Sequence, residues 1–370
     1  MDFNFEEKYE KYRATVRDFA NREFTRELIE TCDSGEKYPE ELRIKTFNAG
    51  IMDFTDPWKV LIGIEEMCSV DESLGIAATT PYFGAEVLML FGSDYLKEKY
   101  LSQVSQGRAI MGLAVTEPGG GSDVAGLATT ATPTDSGYVL NGSKMFITNG
   151  TIANYFVLLA RTSVEEKKHH GLSCFLVDSS WEGFKSSKIK GKMGVRATDT
   201  AELQFSNVKI PKENLIGEEG KGFYYIMTFF NISRIYVAAQ GLGVARGAIN
   251  RAMEIVKAKG QAYSSQESVQ FAISEMATRL EAARLLTYKA ATFLFNFNPN
   301  PTLTSMAKYY AAETAVYCTE KALEITGTDG LNSQLERFLR DAKILEIWEG
   351  TSEIEKLVVA RNLLKEGSVN

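Results

Sequence analysis

The chain has 370 residues, 44% of them hydrophobic and 24% charged, a balance that excludes a disordered or fibrous protein and leaves core enough for two or three domains of roughly 150 residues. A formal net charge of -7 offers no bulk basic surface for nucleic acid or anionic lipid. The only histidines, His169 and His170, sit in a charged stretch read as an exposed loop, so Ser-His and Cys-His nucleophile systems are close to excluded and acid-base chemistry falls to carboxylates.

Cys32, Cys68, Cys174 and Cys318 are far apart with no CxxC pair, which argues against a disulfide framework or zinc knuckle and fits a reducing cytoplasm. The acidic start Met1-Asp2-Phe3-Asn4-Phe5-Glu6-Glu7 lacks the pattern of a signal peptide, and no apolar run approaches a membrane span. A cytoplasmic protein without nucleic-acid or membrane partners is expected.

Helical spacing opens the chain: Tyr12, Val16, Phe19 and Ala20, then Leu61, Ile64, Met67 and Cys68, recur every three to four residues. This predicts an all-helical domain over residues 1–112. From residue 113 to 215 the period changes to two, in runs such as Tyr155-Phe156-Val157-Leu158-Leu159, Cys174-Phe175-Leu176-Val177 and Ala201-Glu202-Leu203-Gln204-Phe205. Ser136-Gly137 and Asn141-Gly142 are read as turns between strands of a small β domain, barrel- or sandwich-like. Helical spacing returns over residues 216–370 in segments from Ile226 to Lys259, Val269 to Asn296 and Thr302 to Thr326, long enough to pack as a bundle. The fold class is therefore α+β, mainly α. Gly241, Gly243 and Gly247 lack dinucleotide-loop spacing and lie in a helical stretch, which favours close helix packing.

Two stretches of the β domain could carry chemistry. Val115-Thr116-Glu117-Pro118-Gly119-Gly120-Gly121-Ser122-Asp123 is a loop whose backbone N–H groups could approach an anion, or equally a glycine-rich hairpin with Ser122 or Asp123 capping the next turn. Lys144-Met145-Phe146-Ile147-Thr148-Asn149-Gly150 alternates as a strand does and places an aromatic and a hydroxyl on one face, suited to a flat polar heterocycle or to core packing. Near the C-terminus, Glu349 lies in a turn between two helical stretches beside Gly350. Ser352-x-x-Glu355 reads as a capping box for the following helix. That turn either presents a lone carboxylate to a small substrate or serves only as a cap.

These segments together resemble the acyl-CoA dehydrogenases over most of the chain. The loop Val115 to Asp123, then Met145-Phe146-Ile147-Thr148-Asn149-Gly150, then Arg340-Asp341-Ala342-Lys343 running into Trp348-Glu349-Gly350-Thr351, carry the resemblance. Gly142-x-Lys144, Met193-Gly194-x-Arg196-x-x-x-Thr200 and Val208-x-Ile210-Pro211 add to it in the same order.

The resemblance implies three domains ending in a four-helix bundle, and an FAD enzyme that introduces an α,β double bond into an acyl-CoA thioester. Glu349 takes the catalytic-base position. Leu113, Val115, Thr116, Gly121 and Ser122 fall at flavin and pyrophosphate positions, and Phe146 and Thr148 at the flavin ring. Ser122, Asn231, Arg234 and Gly350 resemble substrate-side positions, while Lys259, Glu324, Gly327, Thr328, Thr351 and Glu353 correspond to FAD positions, several reached across a subunit interface. An electron-transfer flavoprotein would accept the electrons, and a homotetramer or homodimer is implied.

The chain departs from the family where Lys259 stands in a shortened segment that usually holds an Arg, where Glu324 and Glu353 replace glutamines, and where Ile51 to Trp58 lacks a Gly-rich loop. Lys259 supplies a point charge without the bidentate fork of Arg. Two alternatives stay open: a dehydrogenase or reductase of carrier-protein-bound acyl thioesters, and a non-catalytic partner subunit with weakened FAD binding.

Overall fold

The structure, a computed structural model, describes residues 5–367 except 52 and 54. Met1 to Asn4 of the acidic start, and Met52 and Phe54 of the shortened segment, lie outside the described residues. The mainly helical α+β class is what the chain adopts: helices, then one sheet, then helices.

Among the first helices, Pro57–Val70 begins where a sequence reader would place it. Asp56 accepts from Trp58 N at 3.1 Å, and Pro57 occupies a first-turn position that has no N–H to leave unpaired. Asp71 ends that helix and caps the next, Glu72–Thr79, through Leu74 N at 2.9 Å.

The sheet contains β1 (Met111–Ala114), β2 (Thr130–Thr134), β3 (Gly137–Thr148), β4 (Tyr155–Arg161), β5 (Leu172–Asp178), β6 (Phe184–Lys188), β7 (Thr200–Pro211) and β8 (Leu215–Ile216). Its order is β6-β7-β3-β2-β4-β5-β8, with β1 parallel to β4. The continuous apolar runs of β4 and β5 follow from burial on both faces. Val157 and Leu159 of β4, with Cys174 and Leu176 of β5, join the large core shared with the helices; Phe156, Leu158, Phe175 and Val177 fill the core on the other face.

Two expectations about the sheet need correction. Ser136 does turn the chain from β2 into β3, but Asn141-Gly142 lies inside β3, where the register with β7 shifts between Leu140 and Gly142. A glycine in a strand interior marks an irregularity there because it tolerates the backbone, at φ 141°, that an extra residue demands. The clean alternation expected over residues 144–150 is likewise interrupted by a shift between Lys144 and Ile147.

Helices Gly222–Ala258, Glu267–Phe295 and Pro301–Thr326 form the body of the C-terminal region, with Ser352–Glu366 packed on the last of these. The glycines of the first serve packing, as their spacing suggested. A Cβ at Gly243 would stand 2.5 Å from Glu65 O, one at Gly247 2.3 Å from Ser69 O, and one at Gly241 2.8 Å from Ala311 O. The helix therefore touches two neighbours backbone to backbone. All four cysteines are buried and free.

Candidate active site

Helix Leu335–Ala342 tightens into the 3-10 turn Lys343–Glu346, and the chain then breaks at Glu349 and Gly350, with φ of 53° and 97°. Left-handed backbone at a glutamate is unusual and requires support. Gly350 is required twice over, by its φ and because a Cβ would fall 2.1 Å from Glu355 Oε1.

The support comes from three helices. Ser233 Oγ donates to Glu349 Oε2, Arg234 Nε donates to Glu349 O at 3.3 Å, and Lys308 Nζ donates to Gly350 O. Glu355, fully buried, stands 3.0 Å from Arg234 Nε and balances its charge. The capping box is corrected here: Thr351, one residue earlier than expected, caps the final helix by accepting from Ile354 N at 3.2 Å. Glu355 is thereby freed to turn inward as a counter-ion.

Burial pushes the Glu349 carboxyl above its ordinary range, against the Ser233 hydrogen bond and the charges of Arg234 and Lys308; Glu355 adds to the rise. Lys308 is lowered to about 8, burial being opposed by Glu355 and Glu349. Glu349 borders a cavity whose apolar walls include Ile64, Phe83, Phe229 and Val237. Thr80, Tyr82, Glu86, Tyr236 and Gln240 also line it.

The rim of this cavity is stitched to the sheet. Asn149 Nδ2 donates to Thr80 O at 2.7 Å and to Met111 O at 3.0 Å, and Met111 N donates to Pro81 O at 2.8 Å. Leu113 and Val115 continue from β1 as buried residues. Thr116 O accepts from Met145 N at 2.9 Å, which brings the Gly-rich loop beside Phe146. Phe146 stands on the strand irregularity with φ 58° and its ring 65% exposed, while Thr148, half-buried, ends β3.

The loop's base is held by a buried ion pair, Lys144 Nζ to Glu117 Oε1 at 2.9 Å, with Ala128 N and Thr129 N donating to the same carboxylate. Its tip, Pro118 to Asp123 with Gly121 and Ser122, is exposed, and no atom lies within 4 Å of a Cβ built at Gly119 or Gly120. The capping alternative does not hold for Asp123, whose side chain makes no cap bond to the turn Val124–Gly126; its carbonyl accepts from Gly126 N at 3.0 Å instead.

Beside the Gly-rich loop with Phe146 and Thr148, the predicted residues form two further groups. Glu349, Arg234 and Gly350 meet at the turn, with Asn231 half-buried nearby on the same helix as Arg234. Lys259, Gly327 and Thr328 lie at another end of the bundle, where Lys259 Nζ donates to Thr326 O at 2.6 Å and stands 3.1 Å from Asp329. Glu324 pairs with Lys321, and Glu353 is exposed on the final helix. Among the described residues no hydrogen bond or ion pair joins this second group to the Gly-rich loop. Lys308, Glu86 and Gln240 carried no local signal in the sequence, because isolated polar residues in helical stretches read as surface; Glu355 was visible only as a cap.

The three domain models of the acyl-CoA dehydrogenase family, N-terminal, middle and C-terminal, match residues 6–108, 112–208 and 220–364. The chain is 35% identical to an acyl-CoA dehydrogenase of Bacillus subtilis, covering 95% of this chain and 97% of the relative. It is 34% identical to the CarC subunit of the caffeyl-CoA reductase-Etf complex of Acetobacterium woodii, covering 98% and 99%. The solved butyryl-CoA dehydrogenase of Megasphaera elsdenii superposes with a TM-score of 0.93 at 34% identity, covering 98% of this chain and all of that one. No described helix is long and apolar enough to cross a membrane. With all three domains matched in order, the chain belongs to the acyl-CoA dehydrogenase family, and it is an enzyme, an oxidoreductase.

Proposed function

We propose that this chain oxidises the α,β carbon–carbon bond of an acyl-CoA thioester, with Glu349 as the base that takes the α-proton. The observation that carries the reading is the presentation of Glu349: a carboxylate on a left-handed turn, clamped by Ser233, Arg234 and Lys308, at the edge of a cavity walled by apolar side chains. An ordinary glutamate is too weak a base for a carbon acid, and burial moves Glu349 in the useful direction. General-base positioning supplies roughly 10²- to 10⁴-fold. The larger share must come from donors to the developing charge on the thioester oxygen. The backbone N–H of Glu349 has no acceptor among the described residues and suits that role.

The residues around the Gly-rich loop fit FAD. The outward ring of Phe146 offers a flat apolar surface, Thr148 at the end of the same strand a hydroxyl, and the open backbone at Gly119 and Gly120 an approach for pyrophosphate. Leu113, Val115, Thr116, Gly121 and Ser122 would line the flavin and its phosphates. FAD, when bound, supplies the acceptor for the hydride that leaves Cβ. Loss of one proton and one hydride leaves the 2-enoyl thioester.

Lys259, Glu324, Gly327 and Thr328 sit apart from the loop within one chain, so their contribution to FAD requires a second copy, as a homotetramer or homodimer provides. Thr351 acts through the turn it caps, and exposed Glu353 contributes charge near the same helix start. Electrons pass on to an electron-transfer flavoprotein, a reading supported by the Etf complex of the CarC relative.

The test is the visible spectrum of the purified protein, followed by anaerobic addition of butyryl-CoA. A flavin spectrum that bleaches with wild type but not with Glu349→Gln is expected. A colourless protein that takes up no FAD, or bleaching undiminished in Glu349→Gln, overturns the corresponding part.

A further inference from the structure

The cavity in front of Glu349 is not uniformly apolar. Glu86, in the first turn of the short helix Ala85–Phe91, lines it beside Ile64, Phe83 and Phe229. Its Oε2 is buried without a hydrogen-bond partner, and no described Lys or Arg forms an ion pair with it. Gln240, on the long helix Gly222–Ala258, lines the same cavity and is 5% exposed; its Oε1 is also buried and unpartnered. Glu86 and Gln240, on separate elements, therefore border one space, and each carries a buried side-chain oxygen, Glu86 Oε2 and Gln240 Oε1, without a hydrogen-bond partner.

Buried polar groups are almost always hydrogen-bonded, and an orphan is an invitation to a ligand. An alkanoyl tail that filled this cavity would displace water from both acceptors and return nothing. A tail ending in a carboxylate would add a third acceptor and, near Glu86 and Glu349, a like charge. A tail that carries an O–H or N–H donor repairs the deficit while Glu86 is ionised.

We propose that Glu86, together with Gln240, selects acyl thioesters whose tail bears a hydrogen-bond donor, a hydroxyl or an amine, over alkanoyl thioesters of equal length. The inference rests on the acyl-thioester reading above and narrows it to a substrate class. The chemistry at Cα and Cβ is unchanged; Glu86 and Gln240 act on the far part of the acyl group. Burial raises the Glu86 carboxyl to about 7 and the neighbouring Glu349 adds to the rise, against backbone hydrogen bonds from Glu86 and Gly84.

The test compares four short-chain CoA thioesters of equal length, ending in methyl, hydroxyl, amine and carboxylate. Binding is measured by calorimetry on the FAD-loaded Glu349→Gln variant, and flavin bleaching on the protein with Glu349 intact, each with and without Glu86→Leu. The hydroxyl or amine ester should bind roughly ten- to a hundredfold more tightly than the methyl ester, with the carboxylate ester weakest. Glu86→Leu should reverse the preference towards methyl, while Glu86→Gln keeps it for the hydroxyl and loses it for the amine, identifying which donor is read. Methyl-ended ester binding as tightly as the donor esters, unmoved by Glu86→Leu, overturns the inference, and flavin bleaching by that ester then leaves the dehydrogenase reading intact. If the binding order holds and no thioester bleaches the flavin, the selectivity stands and the dehydrogenase reading falls.

Discussion

Two buried carboxylate neighbourhoods share helix Gly222–Ala258, which sends Arg246 to one and Ser233 and Arg234 to the other, and they are built in opposite ways. Glu66, fully buried on helix Pro57–Val70, meets Arg17 at 2.9 Å, Arg246 at 2.7 Å and Arg13 at 3.4 Å. Burial pushes its carboxyl up, but the hydrogen bonds and charges of Arg17 and Arg246 outweigh it and leave the group below its ordinary range. Around Glu349 and Glu86 burial wins instead. The same residue type becomes a fixed anion where guanidinium groups converge on it, and a potential proton acceptor where they are kept to the backbone or to another acid. Arg234 illustrates the second arrangement: it touches the Glu349 carbonyl and pairs with Glu355, leaving the Glu349 carboxylate to Ser233.

The comparison breaks most sharply at the proposed base. Glu349→Gln should lower turnover by roughly 10²- to 10⁴-fold while CoA-ester binding persists, measured by bleaching rate against calorimetric affinity. With Glu349 intact, kcat/KM should rise with pH through a carboxyl range above the ordinary one, since the deprotonated form is the base and its pKa is raised; a profile flat from acid to neutral pH would contradict this.

In the arginine-rich region, Arg246→Ala removes the ligand nearest to Glu66 and should cost about 3 kcal/mol in a denaturant titration, with turnover per folded molecule little changed. A pH-dependent effect of similar size belongs to Glu86. Its pKa in the folded chain, about 7, exceeds the ordinary 4.5, so the folded state binds that proton more tightly than the unfolded state does. Stability is therefore lost as pH climbs from about 4.5 to 7. Glu86→Gln should leave stability unchanged below that window and raise it by up to about 3 kcal/mol above, as read from urea midpoints at either end. The smallest effect is expected from Thr351→Ala, which removes the cap beside the Glu349 turn and should cost about 1 kcal/mol of stability. A loss of turnover much larger than that stability change would show that the cap also positions the base.

The glycines of helix Gly222–Ala258 show how far local pattern reaches. Their wrong spacing for a nucleotide loop and their helical setting pointed to packing, and the close approaches to Glu65, Ser69 and Ala311 are that packing. Strand runs and long helices were equally legible, because burial on a face leaves a periodic trace. The capping box was misread by one residue because Thr351 and Ser352 are chemically interchangeable as caps, and the choice depends on where Glu355 finds a partner. Asn141-Gly142 was misread because a bulge and a turn make the same demand on the backbone.

Composition alone pointed to carboxylates for acid-base chemistry, since histidine is nearly absent, and motif order carried the family resemblance that singles out Glu349 and the Gly-rich loop. Only the tertiary structure decided which carboxylates stand near cations and which do not. Glu65, Glu66, Glu86, Glu349 and Glu355 are indistinguishable as letters. The states of Glu66, Glu86 and Glu349 are set by burial and by charges brought from helices far apart in the chain, through interactions that depend on distance in space, and no local pattern records that distance.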